Sequence, residues 1–322
     1  MIHRLKAKFA VAFAAALVSA TTAAQQYPTK PIRMVMGFTA GGGVDIMARL
    51  LTPRMSDTLG QPIILEARPG AGTNIAMEYV IKSPPDGYTL LINTPPVSIN
   101  MSLYKNLGFD TTRDLAAVSV FSQSPNVLIV HPSVPAKSVK ELVALARAKP
   151  DALKFSSGSN GTTQHLSGEL FKLRTQTRML HVPYRGTTQS LTALIGGEVE
   201  LNFATVASAS EYVKAGRLRP LGTTTAARTA LMQQVPTMRE SGVDMIVTVT
   251  YSLHAPGATS RDIVNKLADA VIRAARAPET RQRLLDIGAE PVGYTHEEAT
   301  RWLREEVSLW AAVVKAAKIT VD

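Results

Sequence analysis

Apolar positions recur along this chain with two different periods, and the two periods take turns. Ile32–Gly37 is a short, nearly continuous apolar run of the kind a buried strand shows. After a glycine-rich interval, Val44, Met47, Leu51 and Met55 fall on one face of a helix over Val44–Leu59. The alternation continues with a strand at Pro62–Glu66, a helix at Asn74–Lys82 and a strand at Tyr88–Asn93. A βαβαβ opening of this kind predicts a doubly wound α/β domain.

Beyond Asp114 comes a long apolar run, AAVSVFSQSPNVLIVHP, interrupted at Pro125, and a second α/β unit follows it. Ser138 and Glu141 read as a capping box that opens a helix at Val139–Ala148. Strands are then expected at Leu153–Ser156, Met179–Val182, Val199–Ala204 and Arg219–Thr223, with helices at Thr162–Leu173 and Gln189–Ile195 between them. Met245–Leu253 is another long β-branched run, and the tail is helical, with Thr295 and Glu298 boxing the helix that starts at His296. The runs at 117–131 and 245–253 read as crossovers between two lobes. That makes the first lobe discontinuous, with residues 25–124 and 246–322 on either side of a second lobe at 125–245. A cleft between lobes is where ligands tend to bind.

The N-terminal stretch changes the compartment. Arg4, Lys6 and Lys8 precede an apolar core from Phe9 to Val18, and Thr22-Ala23-Ala24 closes it with small residues. This is the anatomy of a secretory signal peptide, with a core too short to span a bilayer. Cleavage near Ala24 would lower the net charge from +10 to +7. The chain has no cysteine, so an exported product has no disulfide framework and no thiolate metal site. Basic residues are scattered and aromatics amount to only 6%, which argues against nucleic acid and for a mild field that attracts small anions.

Two glycine loops carry the candidate chemistry. GFTAGGGVD, residues 37–45, lies between the first strand and the first helix. It tests poorly as a dinucleotide fingerprint: Glu66 stands about 20 residues on, as such sites require, but Ile46 occupies the third glycine position. RPGAGTNIA, residues 68–76, sits in the same way between the second strand and the second helix. Both loops then feed helix N-termini at the carboxyl ends of neighbouring strands, a pincer of backbone N–H donors suited to a carboxylate. Asp45 reads either as a brace for the first loop or as an ordinary acidic residue near a helix start. SSGSNGTTQHL, residues 156–166, repeats the strand–loop–helix logic in the second lobe, and VPYRG offers Tyr184 and Arg185.

Signs of catalysis are thin. His165 and Glu169 share a helix face at i and i+4, but nothing completes a metal set, so no metal and no cofactor is expected. No G-x-S-x-G elbow and no nucleophilic cysteine is present, and no catalytic residue is assigned.

Taken together, YPTKPI, FTAGGGVDIMAR, RPGAGTNIA, PDGYTLL, SSGSNGTTQHLSGELF, HVPYRG and VPTMRESG resemble, in order and across the whole mature chain, the Bug-type periplasmic solute receptors of tripartite tricarboxylate transporters. The resemblance implies a two-lobed periplasmic binding protein of type II, each lobe a doubly wound sheet, joined by two crossover strands. It implies a monomeric, non-enzymatic receptor for a small carboxylate, serving a two-component membrane permease; a sensor coupled to a signalling partner is the alternative, and a carboxylate-processing enzyme the more distant one. In the family the first-lobe loops hold one carboxylate through amides and ordered waters, a role that falls here on Thr39, Ala40, Gly41, Gly42, Asp45, Gly70, Ala71, Gly72 and Asn74. Second-lobe selection falls on Ser157, Gly158, Asn160, Thr162, Tyr184 and Thr205. Three departures stand out: Gly37 where the family often has proline, Ala67 where it has asparagine, and Thr73 where it has glycine. Gly37 is expected to loosen the start of the first loop, and Thr73 to contact ligand or narrow the site.

Overall fold

The computed structural model describes residues 27–184 and 186–319. The expected signal segment and Arg185 lie outside them.

The first sheet is built as the opening pattern requires. Strand β1 (Ile32–Met36) pairs in parallel with β2 (Ile63–Ala67) on one side and β3 (Thr89–Asn93) on the other. Helix α1 (Gly43–Leu59) joins β1 to β2, and α2 (Asn74–Ile81) joins β2 to β3. Val44, Met47, Leu51, Met55 and Leu59 of α1 are buried against one face of the sheet. Burying side chains of this size contributes about 1.5–3 kcal/mol each, which ties α1 firmly enough to position the loop that precedes it. On the other face, Ala76, Met77 and Val80 of α2 pack with Val35 and Leu91.

Strand β4 (Leu115–Val130) is one continuous strand of 16 residues, and Pro125 marks a change of sheet rather than a break. Up to Pro125 it pairs antiparallel with β9 (Thr248–Pro256) in the first sheet; from Asn126 it pairs antiparallel with β7 (Leu201–Thr205) in the second. The chain returns through 243–247, where the Val247 amide donates to Thr224 O at 2.8 Å, and enters β9.

The second sheet contains β5 (Lys154–Ser157), β6 (Leu180–Pro183), β7 and β8 (Arg219–Thr223) beside β4. Its strand order, β6-β5-β7-β4-β8, is the order of the first lobe, β2-β1-β3-β9-β4, with the antiparallel member in the same place. No sequence repeat announces this repetition, because each lobe fills the pattern with different residues. Helices α5 (Val139–Ala148), α6 (Thr163–Thr175), α7 (Thr187–Ile195) and α8 (Val206–Lys214) cover the second sheet.

Two helices knit the lobes together, and one of them has no counterpart in the periodicity. Helix α3 (Pro96–Leu103) begins at Pro95-Pro96, where proline's fixed φ suits a first turn. Its Ile99 and Leu103 join the second-lobe core. A short turn, α4 (Thr111–Asp114), leads into β4; α9 (Arg261–Arg276), α10 (Pro278–Asp286) and the two-residue β10 (Glu290–Pro291) follow β9. The last helix, α11 (His296–Ala317), opens with the expected Thr295–Glu298 capping box. Its Ala299, Trp302 and Leu303 pack in the first lobe and Trp310, Val313 and Val314 in the second. The box expected at Ser138 is only half formed: Ser138 accepts from the Glu141 amide, but Glu141 reaches past it to the Lys137 amide.

Candidate functional site

The two glycine loops are neighbours because β1 and β2 are. In loop one, Thr39, Ala40 and Gly41 are exposed, and Gly41 takes φ +81°, a left-handed conformation that favours glycine. The Gly41 amide donates to Asp45 Oδ2 at 2.9 Å, and Arg49 pairs with the same carboxylate at 3.0 Å. Burial opposes ionisation of Asp45, but the Gly41 amide and the Arg49 guanidinium outweigh it and hold the carboxyl below the usual range. Asp45 is therefore the brace, and the Gly41 amide is already engaged. The amides of Ala40 and Gly42 carry no partner among the described residues.

Loop two is a left-handed turn. Gly70, Ala71, Gly72 and Thr73 all have positive φ, at 132°, 46°, 60° and 77°. For Ala71 and Thr73, which carry side chains, such a conformation costs on the order of 1–3 kcal/mol and is typical of a loop held for a purpose. The turn is fastened by Thr73 N–H to Gly70 O at 3.0 Å, and by Asn100 of α3, whose Nδ2 donates to Gly72 O at 2.8 Å and to Asn74 Oδ1 at 2.6 Å. A Cβ on Gly72 would lie 2.6 Å from the Tyr104 hydroxyl, so space as well as φ excludes a side chain there.

Neither first-lobe helix caps itself. Gly42 precedes α1 and Thr73 precedes α2, and neither side chain bonds to the helix amides. Two adjacent helix N-termini thus present free N–H groups and the positive ends of their dipoles to one place.

In the second lobe, the corresponding loop is packed from within. The Gly158 amide donates to Gln164 Oε1 at 2.6 Å, and Thr162 caps α6 through the His165 amide while donating to Ser159 O at 2.8 Å. Thr205 caps α8 through the Ser208 amide. The Tyr184 hydroxyl turns to Glu198 at 3.4 Å, and the half-buried Asn160 makes no side-chain hydrogen bond among the described residues. Ser157 donates to Ser159 O at 2.9 Å and sits 2.7 Å from His181 Nε2. The serine hydroxyl is thus shared between a backbone carbonyl and an imidazole. His165 stacks on His181 with ring centroids 3.9 Å apart, and burial, helped by Lys172, lowers its pKa to about 4. Burial also lowers that of His181 to about 3, with His165 and Lys172 adding to the effect. Glu169 faces Lys172 at 2.8 Å instead of sharing a ligand with His165.

The structure adds residues that motif reading passed over. Asn100 lies between the lobes: its Oδ1 is buried without a partner, and a Cβ on Gly161 of the second lobe would come within 3.1 Å of it. Asn126 Oδ1 on β4, Thr250 Oγ1 on β9 and Gln164 Nε2 on α6 are also buried without a partner among the described residues, while Ser124 on β4 meets the Tyr251 hydroxyl. Buried polar atoms are seldom left unpaired, and orphans gathered about the crossing mark a place meant for water or ligand. The Tyr251 hydroxyl stands against Gly43; burial pushes its pKa up to about 12, so it remains a donor. Those on β4 and β9 are hidden inside strands that look wholly structural, and Asn100 and Gln164 lie on helices.

Gly37 has a packing role besides the one expected of it. It is buried, its φ lies outside the left-handed region, and a Cβ there would stand 2.4 Å from Thr73 Cβ. The glycine makes room for the threonine of the second loop. The Thr73 hydroxyl accepts from Asn93 Nδ2 at 3.2 Å.

Two lobes of one strand order, joined by β4 and β9, have the type II periplasmic binding protein fold, and the solved structure of the periplasmic binding protein BugD superimposes at TM-score 0.84. Within that class, this chain belongs to the family described as "Tripartite tricarboxylate transporter family receptor", whose profile matches residues 47–319. It is similar to Protein BugT of Bordetella pertussis, with 31% identity over 315 residues and 97% of each chain covered. It is similar to R. palustris Rpa4515 with adipate (35% identity, 91% of this chain and 99% of that one, TM-score 0.86). It is similar also to MatC from Rhodopseudomonas palustris with bound malate (29% identity, 89% and 100%, TM-score 0.83).

Proposed function

We propose that this chain is an exported receptor that closes around a small carboxylate in the periplasm and presents it, chemically unchanged, to a two-component membrane permease. The reading assigns residues 25–124 and 246–322 to one lobe and 125–245 to the other, and takes the protein to act as a monomer. The observation that carries it is the pair of uncapped helix N-termini at α1 and α2, set side by side at the ends of β1 and β2. A carboxylate there would accept from the free amides of both loops, the Gly42 and Gly72 regions foremost, while Asp45 holds loop one in shape. The second-lobe loops at Ser157–Thr162, Tyr184 and Thr205, with Asn100, Ser124 and Asn126 on the floor, would read what lies beyond it. Closure is favoured because a ligand bridging both lobes gains contacts only in the closed state. Adipate and malate in similar proteins support a carboxylate as the ligand class.

Native mass spectrometry of freshly purified protein, followed by calorimetric titration with a carboxylate panel that includes adipate and malate, tests the reading. An acidic compound that copurifies or binds saturably supports it. A panel without a single binder and a protein that carries nothing acidic overturn it.

A further inference from the structure

Gly37 and Thr73 lie 36 positions apart in sequence, on different loops, and touch. The contact is unusually demanding. A Cβ on Gly37 would meet Thr73 Cβ at 2.4 Å, its Cγ2 at 2.8 Å and its Cα at 3.0 Å, so the clash includes loop-two backbone and no rotamer change relieves it. The backbone at Gly37 is open to any residue, which leaves volume as the reason for glycine.

The other half of the contact is equally constrained. Thr73 is 3% exposed and β-branched, yet takes φ 77°, a conformation rare for such a side chain. It stands at the N-cap of α2, where a threonine ordinarily turns its hydroxyl onto the helix amides. Here the hydroxyl faces away, to Asn93 at the end of β3, and Asn93 in turn accepts from the Thr94 amide at 2.9 Å. The methyl side fills the space above Gly37. Thr73 is thus clamped between β1 and β3; the first amide of α2, that of Asn74, turns back to Ala71 O, and no side chain caps the amides that follow.

We propose that Gly37 and Thr73 are a matched positioning pair: the threonine, seated in the glycine's vacant volume, sets the spacing of the two anion loops and keeps the N-terminus of α2 uncapped. The pair rests on the receptor reading for its consequence, ligand affinity, but not for its packing.

Three variants test it: Gly37→Ala, Thr73→Gly, and the two combined. The probe is whichever of adipate and malate the wild type binds more tightly, titrated by calorimetry at low temperature, where every variant that folds is fully folded. Gly37→Ala weakens binding about tenfold or more, because overpacking pushes loop two off its position. Thr73→Gly weakens it less. The combination recovers most of what Gly37→Ala loses, well outside the additive expectation, the remainder reflecting the Cα at position 73 that still stands 3.0 Å from the new Cβ. A merely structural role would lower the melting temperature and leave the low-temperature Kd alone. Gly37→Ala binding as the wild type does, or a double variant that is simply additive, overturns the pair. If the wild type binds neither compound, the receptor reading is what fails for that ligand class, and the pair is judged on unfolding free energies alone: recovery in the double variant upholds the contact, and additivity overturns it.

Discussion

The two lobes share one strand order and differ at the ends of their helices. In the first lobe, α1 and α2 start from Gly42 and Thr73 with no side chain bonded to their amides. In the second, α6 and α8 start from Thr162 and Thr205, and each threonine caps its own helix, whereas α7 starts from Gly186 with no side-chain cap. A self-capped helix has already satisfied part of what an anion would satisfy. The contrast is therefore sharpest in the helix that follows the leading strand of each sheet: α1 starts with its amides uncapped by any side chain, and α6 starts from a loop already bonded within itself.

The strongest way to break this comparison is to put a charge where the amides are. Gly42 has φ −83° and ψ 176°, open to any residue, and a Cβ there meets only Thr39 O at 3.4 Å. Gly42→Asp is expected to lower carboxylate affinity about 100-fold or more through like-charge repulsion at short range, with little change in melting temperature. Unchanged affinity by calorimetry would remove the anion from loop one. In the second lobe, the glycine of the equivalent loop should respond in the opposite currency. A Cβ on Gly158 would lie 2.8 Å from the Thr187 amide and 3.0 Å from the Gly186 carbonyl carbon, both backbone. Gly158→Ala should destabilise the fold by about 1–3 kcal/mol, read from denaturant unfolding. A stable variant would mean that this loop is looser than its hydrogen bonds imply.

Much of this division was legible before the structure. The apolar period placed α1 within a residue of its observed start, and the two glycine loops fell at the carboxyl ends of β1 and β2 as expected. What periodicity could not show was volume. Gly37 reads as freedom in a sequence; only the position of Thr73 shows that it is a socket. Helix α3 escaped notice because Pro95 and Pro96 look like a turn, and Asn100 went with it. Asn126 and Thr250, each with a buried unpartnered oxygen, sit on long strands whose role looked complete without them.

Acid bears on both lobes, because burial lowers the pKa of His254 on β9 to about 3, and the second-lobe loop leans on buried neutral histidines of its own. His165 is 4% exposed, its Nδ1 lies 3.2 Å from the Gly161 amide, and its pKa in the folded state is lowered to about 4. As pH falls below the unfolded value of about 6.5, the unfolded chain takes up a proton that the folded one does not, so stability is lost on the acid side and not on the alkaline side. At pH 5 this one group accounts for about 2 kcal/mol. Urea unfolding at pH 8 and pH 5 should therefore show a smaller acid loss in His165→Gln than in the wild type. An equal loss in both would place the acid sensitivity elsewhere.

The smallest effect is the most direct reading of the asymmetry itself. Thr162 accepts the His165 amide at 3.4 Å and donates to Ser159 O at 2.8 Å, a cap that belongs to the fold whether or not a ligand is present. Thr162→Ala should lower stability by about 1 kcal/mol, the usual cost of losing a cap, and Thr162→Ser should return most of it. Affinity should shift by less than about threefold, because the anion-binding amides lie in the other lobe. If Thr162→Ala instead weakened carboxylate binding more than it weakened the fold, the α6 N-terminus would be part of the anion site, and the two lobes would be alike in chemistry as well as in strand order.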